Sequence, residues 1–120
     1  MFNRHGDKDT GILSVVEYDN LNFKPERMYY ITNVPKGEVR GKHGHYTDKQ
    51  YLICIKGEIR VTFVSKDGTT EMILEEGDSV FYDNMIWAEQ EYLTGQDILL
   101  VLCSTKYDKS DYFYDAGEVL

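Results

Sequence analysis

The chain is expected to be all-β, a closed antiparallel sandwich or barrel. Three observations predict this. About nine short runs rich in β-branched and aromatic residues follow one another, turn signals recur roughly every eight to twelve residues, and no convincing amphipathic helix appears before the C-terminus. At 120 residues with 42% hydrophobic content, the chain forms one domain, 1–120, long enough for a real core.

The elements follow in order. Ile12 to Tyr18 (ILSVVEY) is apolar and β-branched, with Gly11 as the turn before it. Asp19 to Pro25 is a loop. Arg27 to Thr32 (RMYYIT) is a strand ended by the turn Asn33-Val34-Pro35-Lys36-Gly37, and Val39 to Gly44 resumes extended structure. Tyr51 to Ile55 (YLICI) leads through Gly57 to Glu58 to Val64, where apolar and polar residues alternate as in a half-buried strand. Lys66-Asp67-Gly68 carries an Asp-Gly hairpin signal. Glu71 to Leu74, Ser79 to Tyr82, Met85 to Gln90 and Ile98 to Cys103 complete the strands, with Gly77 a further turn. The acidic, tyrosine-rich tail from Lys106 to Leu120 is expected to hold one helical turn and to fray at its end.

Composition excludes several function classes. A net charge of −8 argues against general affinity for nucleic acid or an anionic membrane surface. No apolar run approaches the roughly 20 residues needed to span a bilayer. Cys54 and Cys103 both lie in apolar runs and no leader pattern is evident, so the expectation is two reduced, buried thiols in a cytoplasmic protein.

Chemistry concentrates between Arg40 and Gln50. In a strand, residues two apart share a face, so His43 and His45 would present paired imidazoles to one side of a sheet. Imidazole titrates nearest neutrality, and such a pair reads as a metal claw or as an acid/base couple.

Spacing narrows the class. From Gly37 there are five residues to His43, one to His45, four to Gln50 and six to Gly57, which resembles the first motif of the cupin jelly rolls. Gln50 stands where that motif carries a glutamate. In the second motif, counted from Gly77, Asp83, Met85 and Ala88 occupy the places of a proline, a glycine and a histidine. Two imidazoles and an amide rarely hold a metal tightly, since metal enzymes usually keep three good donors. No metal and no other cofactor is expected.

Read together, Arg-x-Tyr-Tyr-Ile at Arg27 to Ile31, Arg-Gly-x-His-x-His at Arg40 to His45, and Tyr-Asp-x-x-Asp-Tyr at Tyr107 to Tyr112 resemble the nucleoside-diphosphate-sugar 3,4-ketoisomerases. These are single-domain cupins acting on dTDP-4-keto-6-deoxyglucose in routes to 3-amino-3,6-dideoxyhexoses. The resemblance implies proton removal from C3, an enediol, and proton return to C4, without redox cofactor. It implies His45 as the C3 base and His43 as the partner serving C4 or O4, with the reverse assignment open, and Tyr30 as proton donor or relay. Arg27 and Arg40 would bind diphosphate oxygens or the sugar ketone. Gln50 would bond a hydroxyl or orient a histidine, and Trp87 would pack against sugar or base. Thr10 replaces an arginine expected to touch substrate, and Ala88 replaces a histidine after the tryptophan. The expected partner is a dTDP-linked 4-keto-6-deoxyhexose, and the expected assembly a homodimer with exchanged N-terminal strands. A metal-dependent cupin and a non-catalytic sugar-nucleotide binder stand as the alternatives.

Overall fold

Glycines and Asx turns punctuate the chain into eleven strands, which the computed structural model describes over residues 1–120. They are β1 Asn3–Asp7, β2 Gly11–Val15, β3 Arg27–Ile31, β4 Val39–His45, β5 Gln50–Lys56, β6 Glu58–Ser65, β7 Gly68–Glu75, β8 Ser79–Tyr82, β9 Trp87–Tyr92, β10 Ile98–Cys103 and β11 Tyr112–Phe113. Every pairing is antiparallel. A four-stranded sheet runs β3-β10-β5-β8 and a five-stranded sheet runs β11-β4-β9-β6-β7. Facing each other, they make a jelly roll of the cupin type. β1 and β2 pair only with one another.

Alternation along the strands builds the core between the sheets. Leu52, Cys54, Leu99, Val101 and Cys103 from one sheet meet Ile59, Val61, Phe63, Leu74, Ala88 and Tyr92 from the other. Residues of opposite parity on the four-stranded sheet, Tyr51, Ile53 and Leu102, are also buried, under Phe2, Val16, Leu21 and Phe23 of the N-terminal segment. That second layer explains why β5 and β10 read as continuous apolar runs and not as alternating ones. Both cysteines are free and buried. Gly57 turns β5 into β6 at φ +87°, where a side chain would run into the Asp97 carboxylate that caps Glu58 N–H at 2.8 Å.

Most expected strands form within a residue or two of their predicted bounds. Four features differ. β2 stops at Val15, short of the expected Tyr18, which instead opens a 3-10 turn over Tyr18–Asn20, and β7 starts at Gly68, three residues before Glu71. β1 was not anticipated, because NRHGD has no apolar alternation, and its residues are all exposed. The tail holds two 3-10 turns, Lys109–Asp111 and Ala116–Val119, on either side of β11. Asp108 and Asp115 cap them by accepting from Ser110 N–H and Gly117 N–H. Its end does not fray: Val119 is buried and Tyr46 donates its hydroxyl to Glu118. No helix is long and apolar enough to cross a membrane.

Candidate active site

Between the two sheets lies a cavity of about 300 Å³, lined among others by Arg27, Tyr29, Arg40, His43, Gln50, Gln90 and Tyr112. β4 reaches it through an irregularity. Arg40 pairs with Gln90 and His43 with Ala88, so one extra residue sits between them, and Lys42 takes φ +58°. Without that bulge, Arg40 and His43, three apart, would face opposite sides of the sheet. With it, both face inward.

His43 Nδ1 lies 2.9 Å from Gly41 O, a carbonyl that can only accept, so Nδ1 carries the proton. Nε2 is thereby left as a lone pair with no protein partner. Burial holds the His43 pKa below its ordinary value, against the opposing pull of the Gly41 carbonyl. The imidazole is therefore neutral at pH 7 and able to receive a proton.

His45 occupies a different environment. It is 1% exposed and stands behind His43, ring centroids 5.1 Å apart and edge-on. Its Nε2 meets Gln50 Nε2 at 3.2 Å, and its Nδ1 is 3.8 Å from Asp111 Oδ2. Burial pushes its pKa down to about 4, offset in part by Asp48 and Asp111. His45 does not line the cavity, so the arrangement favours His43 as the base, the reverse of the first assignment. The sequence spacing could not distinguish the two, because both rings face inward and only depth separates them.

Strand parity decides the tyrosines. On β3, Arg27, Tyr29 and Ile31 point into the cavity, whereas Met28 and Tyr30 lie on the outer face, Tyr30 65% exposed. Tyr30 is thus not brought to the site. Tyr29 takes that place, and its even spacing from Arg27 was the available signal. Tyr112, on β11, was also missed as an individual residue. Its ring packs on His43 at 4.9 Å and on His45 at 4.4 Å. Burial raises the pKa of both phenols, so both remain proton donors at neutral pH.

Arg27 is held by the buried Asp48 carboxylate, Nη2 to Oδ2 3.2 Å, with its guanidinium 5.7 Å from the centroids of Tyr29 and Tyr107. Arg40 has no carboxylate partner and is exposed at the mouth, a free cation on a chain of net charge −8. Gln50 lies on the floor, bonded to Asp48, His45 and Tyr82.

Two expected contacts fall outside. Trp87 lies on the opposite face of β9 from Ala88 and Gln90, its indole N–H donating to Tyr114 O at 3.0 Å. Thr10 is at the exposed tip of the β1–β2 hairpin, its backbone N–H and hydroxyl both bonded to Asp7 Oδ1. A metal finds no suitable donor set. No three His, Cys, Asp or Glu side chains converge, the amide N–H end of Gln50 faces His45 Nε2, and Ala88 offers nothing. A larger cavity of about 450 Å³ lies beside the N-terminal hairpin, but Arg4 and Glu76 are its only charged residues and it holds no histidine.

Comparison with known proteins gives a consistent picture. A family model described as "FdtA: WxcM-like, C-terminal" matches residues 1–120. The TDP-4-oxo-6-deoxy-α-D-glucose-3,4-oxoisomerase of Aneurinibacillus thermoaerophilus is 28% identical over 107 residues, 88% of this chain and 77% of that protein. The sugar 3,4-ketoisomerase QdtA of Thermoanaerobacterium thermosaccharolyticum, solved with TDP, superposes with a TM-score of 0.86 at 31% identity, covering 95% of this chain and 84% of that one. A histidine-to-asparagine variant of QdtA, solved with TDP-4-keto-6-deoxyglucose, gives 0.87 at 30% identity, with 97% and 85% covered.

Proposed function

This chain belongs to the FdtA (WxcM-like, C-terminal) family, and from that premise we propose that it is a TDP-4-keto-6-deoxyglucose 3,4-ketoisomerase. The observation that carries the reading is the free Nε2 of His43, its tautomer set by Gly41 O, in a cavity flanked by two arginines and two phenols.

The chemistry follows from those groups. His43 Nε2 takes the proton from C3, and the C–H electron pair forms the C3=C4 double bond while negative charge moves onto O4. Phenol hydroxyls of Tyr29 and Tyr112, kept protonated by burial, stabilise that oxygen by hydrogen bonding. O4 gains a proton, the C3 hydroxyl loses one, and C4 receives a proton from the imidazolium. The ketone is then on C3, with no net oxidation. Arg27 and Arg40 supply positive charge for the diphosphate, and a guanidinium fork matches its oxygens.

The same proposal includes a homodimer with exchanged N-terminal strands in a cytoplasmic setting. Supporting the dimer, the β1–β2 hairpin bonds to no other strand and exposes Ile12 and Leu13 at 58% and 61%. An isolated two-stranded hairpin is marginal in water. Supporting the setting, both cysteines are free.

His43→Asn tests the catalytic assignment. It is expected to lower turnover of TDP-4-keto-6-deoxyglucose by about 10²- to 10⁴-fold, the usual worth of a general base, while TDP still binds. Unchanged turnover would remove His43 from the mechanism.

A further inference from the structure

We infer that Gln50 is a positioning residue that locks His45 as the neutral Nδ1–H tautomer and so reserves proton transfer for His43. Which end of a glutamine carries the nitrogen normally has to be deduced from its partners. Here the partners decide it. Asp48 Oδ2 lies 3.0 Å from one end of the amide. That carboxylate already accepts from Arg27, Ser104 and the Thr105 N–H, groups that include an obligate cation and a backbone donor. It is an acceptor, so the end facing it is the NH₂. The other end, Oε1, then receives the Tyr82 hydroxyl at 2.5 Å.

An NH₂ group has two hydrogens. With one directed to Asp48, the other lies toward His45 Nε2 at 3.2 Å, with the Cys103 sulfur at 3.5 Å, and because an amide NH₂ accepts no hydrogen bond, the Nε2 that faces it is the lone pair. The proton of neutral His45 is left on Nδ1, a buried atom with no hydrogen-bond partner, 3.8 Å from Asp111 Oδ2. Asp111 is itself fixed by Thr47 and by the Asp48 N–H. Charged and titratable groups around the ring are Asp48 and Asp111, which favour its protonation, Arg27 and His43, which oppose it, and Tyr112 packed on its face.

Neither nitrogen of His45 is available to substrate. Its ring instead braces His43 and Tyr112, both in edge contact with it. Its neutrality also spares His43 a second positive charge at the moment it takes up the C3 proton. This role rests on the isomerase reading only for its kinetic consequence; the tautomer does not depend on it.

Two measurements test the inference. Long-range ¹H–¹⁵N correlation on histidine-labelled protein, without substrate, is expected to show His45 with a protonated Nδ1 and an unprotonated Nε2 from pH 7 down to pH 5. Gln50→Met, which keeps volume but removes the donor, is expected to give averaged tautomers, and Gln50→Glu a doubly protonated ring near pH 6. A wild-type His45 carrying its proton on Nε2, or titrating like free imidazole, overturns the inference. In turnover, Gln50→Met is expected to lower kcat about tenfold with KM within about twofold, the pattern of a group acting on the reacting residues and not on ground-state binding. An unchanged kcat and pH profile in a folded Gln50→Met protein would equally overturn it. If wild-type protein leaves the sugar unaltered, the isomerase reading falls while the histidine spectra still decide the tautomer.

Discussion

His43 is tuned by two opposed influences, burial that disfavours its charged form and a carbonyl that favours it, and burial wins. A base must be unprotonated, so a pKa lowered from 6.5 keeps it competent at pH values where free imidazole is largely charged. The acid limb of kcat/KM is therefore expected below pH 6.5, and a limb above 7 would contradict the assignment. Stability should respond to His45. Its folded pKa of about 4 lies below the unfolded 6.5, so between these values the unfolded chain binds the extra proton, and stability falls as pH drops through that window. The loss is at most a few kcal/mol, from about 1.4 kcal/mol per pKa unit. Urea unfolding of wild type and His45→Phe at pH 7 and pH 4.5 checks this, with the difference between them shrinking in acid. At this scale the sequence singled out the histidine pair, both arginines and Gln50, of which the fold places all but His45 at the cavity wall. It did not separate the histidines, since depth behind a cavity wall leaves no mark on spacing, and it took Tyr30 where strand parity with Arg27 selects Tyr29.

The bulge in β4 is the element on which the site depends. Lys42 at φ +58° is a side-chain-bearing residue in left-handed conformation, at a cost of about 1–2 kcal/mol. Lys42→Gly is expected to remove that strain, partly offset by glycine's greater entropy loss, and to raise the unfolding midpoint slightly with activity kept. Deleting Lys42 should restore regular pairing and leave Arg40 and His43 two apart on the same inward face, whereas Arg40→Ala should weaken TDP binding by tenfold or more, measured by calorimetry. Unaltered affinity would show that Arg40 does not contact the nucleotide. Nothing in RGKHGH announces a bulge except its two glycines, so the inward turn of Arg40 was legible only as a resemblance. Trp87 shows the converse: its parity on β9, opposite to Ala88 and Gln90, places it outside, and a strand reading of IWAEQ already contained that information.

For the molecule as a whole, a closed antiparallel sandwich or barrel followed from turn spacing and strand content, because closing antiparallel strands into two facing sheets is the simplest way to bury their apolar faces, and the jelly-roll form followed from the resemblance to the cupin motif. β1 escaped notice because it buries nothing within its own chain. The molecule measures 49 × 34 × 25 Å with a radius of gyration of 14.7 Å, slightly above the roughly 14 Å of a compact domain this size. Exposed Met28 and Tyr30 lie on the outer face of edge strand β3, 55% and 65% accessible, and add to the apolar area that the proposed dimer would cover. Light scattering at micromolar concentration should therefore give twice the monomer mass, and truncation before Tyr18 should shift it toward monomer.

In the proposed reaction, His43 moves hydrogen between adjacent carbons of a nucleotide-linked keto sugar. Incubation of the protein with TDP-4-keto-6-deoxyglucose in heavy water, followed by proton NMR, tests it most directly. Loss of the C3 proton signal, solvent deuterium in the sugar and appearance of the 3-keto isomer are the predicted result. An unchanged spectrum, with the C3 proton retained while TDP-sugar is demonstrably bound, would contradict it.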